Sequence, residues 1–147
     1  MKVSKVLFMA AVMLCSLTSK AQDVYEVIFT VGITQYRSAL YMDWNEGIGK
    51  MRVRYFSDGN TRMVEQTMRV EKTTAGTRIA GYNPVYPGTS QRYPNYTADN
   101  FYVSQDEYGN ISIVNVDDRN VAAACTVRKY NTYSEKQNFL RSFNWSL

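Results

Sequence analysis

From Val24 onward the chain alternates apolar with polar side chains, and each alternating run ends at residues that favour turns. A period of two belongs to strands that bury one face and solvate the other. The runs cover roughly Val24 to Val31, Tyr36 to Trp44, Lys50 to Phe56, Thr61 to Thr73, Thr77 to Tyr82, Asn100 to Gln105, Ile111 to Asp117 and Val121 to Tyr130. Between them lie Gly32, Asn45-Glu46-Gly47, Asp58-Gly59, Ala75-Gly76, Tyr108-Gly109-Asn110 and Asp117-Asp118, residue types that tolerate turn dihedrals. The expected fold is all-β, an antiparallel meander of about eight strands.

Closing such a meander into an up-and-down barrel removes exposed sheet edges, and a two-sheet β-sandwich is the alternative. The order is similar to that of lipocalin-like and avidin-like barrels in architecture alone. No family motif accompanies it: a lipocalin carries Gly-x-Trp on its first strand, whereas the first tryptophan here is Trp44, at the end of the second run.

Lys50-Met51-Arg52-Val53-Arg54-Tyr55 alternates charge with apolar bulk, which predicts a solvated charged face and a buried apolar one. Asp58-Gly59 suits a two-residue hairpin turn, because both central positions of a type I′ turn need positive φ. Counting back from Ser57 opposite Asn60 places Val53 across from Val64 and Arg52 across from Glu65. After the last run the period changes. Ser134 and Gln137 read as a capping box, and Phe139, Leu140, Phe143 and Leu147 follow at helical spacing. A short amphipathic helix over about 135–144, lying on the sheet, is expected.

The first 21 residues read differently. Lys2 and Lys5 precede an apolar run from Val6 to Leu17, and Ser19-Lys20-Ala21 offers small residues before Gln22. Charged flank, apolar run and small-residue exit in that order predict a cleavable signal peptide over 1–21 and a single domain over 22–147. The apolar run is shorter than the about 20 residues that cross a bilayer as a helix. Lipid attachment at Cys15 is disfavoured, because Val12-Met13-Leu14 lacks the small residue expected beside a lipidated cysteine. The expected compartment is outside the cytoplasm, secreted or periplasmic.

Of 17 basic and 13 acidic residues in the whole chain, Lys2, Lys5 and Lys20 belong to the leader, which leaves 14 against 13 in the mature domain. A near-neutral domain with interspersed signs lacks the clustered basic face of a nucleic-acid binder, so no nucleic-acid partner is expected. Cys125 is the one cysteine beyond the leader, which leaves no partner for an intramolecular disulfide and suits a packed core residue. The chain holds no histidine. Triads and pairs that need an imidazole base, and imidazole-ligated zinc or copper, are therefore excluded.

Gly81 to Asn100 departs from the meander and holds all three prolines with Tyr82, Tyr86, Tyr93 and Tyr96. A long segment of this kind in a compact domain is often functional. The four rings, with Arg92 as a charged handle, form the candidate ligand-binding set, suited to stacking on a sugar or anchoring a protein partner. The competing reading is that the rings pack down and lid one end of the barrel. Acidic turns at Asp58/Asn60, Asp106/Glu107/Asn110 and Asp117/Asp118/Asn120 carry oxygen ligands without the spacing of a calcium loop. No metal and no cofactor is expected. Asn95, Asn110 and Asn144 head glycosylation acceptor triplets, which matter only in a host that modifies them.

The functional expectation is a non-enzymatic binding module for a small molecule, glycan or protein partner. A structural or inhibitory protein-interaction domain is the alternative. A carboxylate-dependent hydrolase ranks below both, since the acids sit in turns or alternate with basic residues.

Overall fold

The computed structural model describes residues 22–108 and 111–146. The leader with Cys15, Gly109 and Asn110, and Leu147 lie outside the described residues.

Among the described residues nine strands run β1 (Asp23–Val31), β2 (Thr34–Asp43), β3 (Ile48–Ser57), β4 (Asn60–Thr73), β5 (Gly76–Val85), β6 (Asn100–Gln105), β7 (Ile111–Val116), β8 (Ala122–Ala124) and β9 (Thr126–Tyr130), followed by helix α1 (Tyr133–Arg141). All pair antiparallel in one continuous sheet of order β8-β7-β6-β5-β4-β3-β2-β1-β9. The predicted last strand is thus split at Cys125. Its first half pairs with β7, Ala124 opposite Val114, and its second half pairs with β1, Val127 opposite Val27. One run serves both edges of the sheet and brings it nearly full circle, as a barrel rather than a two-sheet sandwich.

The β3–β4 hairpin has the predicted register. Asp58 and Gly59 take φ of 52° and 76°, Ser57 faces Asn60, Val53 faces Val64 and Arg52 faces Glu65. Period two then sends Val27, Phe29, Leu40, Met42, Met51, Val53, Val64, Met68, Ile79 and Phe101 into a common interior core. Burying a side chain of this size contributes about 1.5–3 kcal/mol, which makes the barrel interior the main source of stability.

The outer face differs from the expectation in one place. Arg52 and Glu65 were expected in solvent, but they are only 7% and 5% exposed. The reason is α1 and the turn after it, whose Phe139, Leu140 and Phe143 pack with Val24 and Ala39 into a second core outside the barrel wall. Arg52 Nη1 donates to the carbonyls of Phe143 (3.1 Å) and Asn144, and Arg54 Nη2 donates to that of Ser142. Cations at a helix C-terminus satisfy carbonyls that have no intrahelical partner. Trp145 and Phe143 add ring faces beneath the guanidinium groups of Arg52 and Arg54, at 4.9 and 4.6 Å.

The helix also begins earlier than the sequence suggests. It spans Tyr133–Arg141 rather than 135–144, and its N-cap is Thr132, not Ser134. Thr132 Oγ1 accepts from the Glu135 amide at 3.2 Å, and Glu135 Oε2 accepts from the Thr132 amide at 3.2 Å. The box therefore closes on a carboxylate, which the positive end of the helix favours over the Gln137 amide. Among the described residues no helix is long and apolar enough to cross a membrane.

Candidate functional site

The tyrosine-rich segment is shorter as a loop than its composition suggests, because β5 continues to Val85. Asn83, at φ 51°, sits where the β4–β5 register shifts between Glu65 and Thr67. Beyond this bulge the chain makes a tight return. The Tyr86 amide donates to the Gln91 carbonyl at 2.9 Å, the Tyr93 amide donates to that of Pro84 at 2.9 Å, and Val85 bridges to Arg92. Residues 93–99 then cross the barrel end to reach β6.

Gln66 fastens that crossing. Its Nε2 donates to Asp99 Oδ2 at 2.6 Å, and its Oε1 accepts from the Asp99 amide at 3.0 Å. Gly81 makes the approach possible. A Cβ on Gly81 would lie 2.6 Å from Gln66 Oε1 and 2.7 Å from the Asp99 carbonyl oxygen, which accepts from the Gly81 amide at 2.8 Å.

These contacts frame a cavity of about 560 Å³ at the barrel mouth, lined by Tyr36, Tyr55, Tyr86, Tyr93, Tyr96 and Asp99 among others. The rings form a continuous train. Tyr36 lies 5.1 Å from Tyr55, Tyr55 5.7 Å from Tyr96, Tyr96 6.2 Å from Tyr93, and Tyr93 4.7 Å from Tyr86, centroid to centroid. Phe29 stacks on Tyr36 at 5.1 Å and roots the train in the interior core. Ring pairs in tilted and edge contact gain about 0.5–1.5 kcal/mol beyond their burial, so the aromatic wall is preorganised.

The electrostatics of the cavity centre on Asp99. Burial pushes its carboxyl up to about 6, against the hydrogen bonds from Tyr96 and Gln66 that favour ionisation. Tyr96 Oη donates to Asp99 Oδ2 at 2.7 Å. Burial, then the Asp99 charge, holds the Tyr96 phenol well above its ordinary value. Tyr55 is raised by burial and then by the Tyr93 hydroxyl 3.5 Å away, and Tyr36 by burial and then by Asp99. These three phenols stay protonated near neutral pH. They line the cavity as neutral rings, with the Tyr96 and Tyr55 hydroxyl protons directed to Asp99 and Tyr93.

Of the five residues singled out from sequence, Tyr86, Tyr93 and Tyr96 line the cavity. Tyr93 is nearly buried and Tyr86 is 37% exposed at the rim. Tyr82 and Arg92 lie elsewhere. Tyr82 stands on the outer face of β5, where its hydroxyl donates to Glu71 and the Arg69 guanidinium lies 5.3 Å from its ring centroid. Arg92 is exposed beside its bridge to Val85. Sequence reasoning missed Tyr36, Tyr55, Gln66 and Asp99. The first two were within reach: Phe29 pairs with Tyr36 and Tyr36 with Tyr55, so strand parity alone sends all three rings inward. Comparison with models of known protein families, with curated proteins and with solved structures finds no match to this chain.

Proposed function

We propose that this chain is exported, to the secreted or periplasmic space, and that its domain is a non-enzymatic module that binds a small ligand in the tyrosine-lined barrel mouth. The observation that carries the reading is the cavity of about 560 Å³ walled by the train of tyrosines, at the end of a barrel whose middle is filled. Concave sites with aromatic walls and a few placed polar groups are where proteins hold small molecules. Rings held by their neighbours lose little entropy when a ligand arrives. The export half rests on the leader pattern, and N-terminal sequencing of secreted protein should begin at or near Gln22.

Two of the four acids that line the cavity are tied into turns, which favours binding over hydrolysis by a pair of free carboxyls. Asp58 is paired with Arg62 at 3.2 Å, and Asp117 Oδ1 accepts the amides of Arg119 and Val121 at 2.9 and 2.8 Å. Both are committed to holding turns. A second reading, a protein-interaction face at the same end, draws on Ile33, Phe56 and Val121, which stand 102%, 63% and 57% exposed near the tips around the mouth.

A ligand that binds the folded state raises its melting temperature, so a thermal-shift screen of small metabolites and oligosaccharides tests the first reading. Ligands found this way should lose their effect in Tyr36→Leu, which keeps an apolar side chain against Phe29 and removes the ring. Shifts that survive Tyr36→Leu and Tyr96→Phe alike would place binding elsewhere and overturn the reading.

A further inference from the structure

We infer that the mouth cavity takes a ligand carrying an organic ammonium group, with Asp99 as its counter-charge and the tyrosine faces as its walls. The inference rests on the binding reading above and names the chemical class of the ligand.

The charged residues that line the cavity are Asp58, Asp99, Asp117, Asp118 and Arg62. Arg62 is spent on Asp58. Asp117 takes two backbone amides, and its Oδ2 lies 3.5 Å from Arg119 Nη2. Asp99 differs from both. Its Oδ2 receives two neutral donors, the Tyr96 hydroxyl and the Gln66 amide, and among the described residues no lysine or arginine forms an ion pair with it. Asp99 is half-buried, and a carboxylate partly withdrawn from water without a cationic partner is costly to keep ionised, since such charges are normally paired. Gln66 and Gly81 nevertheless hold this one in place.

An ammonium ion entering the cavity supplies that missing partner. The faces of Tyr36, Tyr55 and Tyr96 add to the attraction, because the quadrupole of an aromatic ring draws a cation to its face, more strongly where water is excluded. An anionic ligand would meet excess negative charge with Arg62 already engaged. A neutral sugar would stack on the rings and leave Asp99 without a counter-charge.

The test compares each cation with its neutral isostere on the purified protein near pH 7.5: choline with 3,3-dimethylbutan-1-ol, and benzylamine with benzyl alcohol, by calorimetric titration. The expected result is that at least one cation binds about tenfold or more tighter than its isostere, the scale of a desolvated cation–π contact with a counter-charge. Asp99→Asn, checked for retained fold by circular dichroism, should bring the two affinities of that pair together. The comparison of cation with isostere needs no variant, so it stands even if Asp99→Asn fails to fold. Isosteres that bind as well as their cations, with Tyr36→Leu abolishing both, would overturn the ammonium inference and leave the binding reading intact. Selectivity that persists in a folded Asp99→Asn would overturn it as well. Saturable binding of none of the four probes would also overturn it, and the thermal-shift screen would then decide the wider reading independently.

Discussion

Gln66 grips Asp99 at two points, one through the carboxylate and one through the backbone amide, at 2.6 and 3.0 Å. A strand residue whose side chain is fully buried thereby fixes a residue 33 positions later in a loop. Substituting Gln66→Leu keeps the volume and removes both bonds. It should destabilise the fold by about 2–4 kcal/mol, since a buried donor or acceptor left without a partner costs about 1–3 kcal/mol. Chemical denaturation measures this, and a loss under about 0.5 kcal/mol would show that the clamp does not order the loop.

Asp99 also sets a pH dependence. Its folded-state value of about 6 lies above the ordinary 3.8, so the folded state holds the proton more tightly than the unfolded one. The cost of burying the charge is absent below about pH 4, grows as pH rises through 6 and is complete above that, reaching on the order of 2–3 kcal/mol. Glu65 and Glu135 are shifted the opposite way, so their contributions are present at neutral pH and lost in acid. They are common to wild type and Asp99→Asn. The stability advantage of Asp99→Asn over wild type should therefore widen between pH 4 and about 6.5 and then level off. A difference that stays flat across that range would contradict the burial of this carboxyl.

The helix cap separates two neighbouring hydroxyls. Thr132→Ala removes the acceptor for the Glu135 amide and should cost about 0.5–2 kcal/mol. Ser134→Ala lies inside the first turn and should change stability by less than about 0.5 kcal/mol. Equal effects at the two positions would refute the Thr132 cap.

Arg52 joins Glu65 to the end of α1. Glu65 is pushed up by burial, but the Arg52 guanidinium, the Gly88 amide and Lys50 together hold it below the usual carboxylate range. Arg52→Ala leaves that carboxylate buried without its closest partner, at 2.7 Å, and frees the Phe143 and Asn144 carbonyls. A loss of about 3–5 kcal/mol is expected, along with faster proteolysis near residue 141. Stability within about 1 kcal/mol of wild type would mean that α1 is not anchored through this side chain.

How far the sequence discloses this molecule depends on whether a feature is local. The Asp58-Gly59 turn, the Arg52–Glu65 and Val53–Val64 registers and the inward parity of Met51 and Val53 follow from adjacent residues and a period of two, and all appear in the fold. The split at Cys125 does not follow from any local signal. Val121–Tyr130 reads as one strand, and only the closing of the sheet makes its halves pair with different partners. The burial of Arg52 was hidden for a related reason, since alternation shows which side chains share a face but not that a helix about 90 residues later covers it. In the site, Tyr86, Tyr93 and Tyr96 were found by composition. Tyr82 was included by the same signal and excluded by strand parity. Asp99 is an unremarkable loop acid in sequence, and its position depends on Gln66 and Gly81 in two other strands.

The most direct test of a binding role for the mouth is a protein-observed NMR titration with the tightest ligand from the thermal-shift screen. Chemical-shift changes should concentrate on the ring protons of Tyr36, Tyr55, Tyr93 and Tyr96 and on the backbone amide of Asp99, which line one cavity while belonging to three separate parts of the chain. Changes confined to Tyr82 and the outer wall of the barrel, or to α1 and Trp145, with the mouth residues unmoved at saturation, would contradict it.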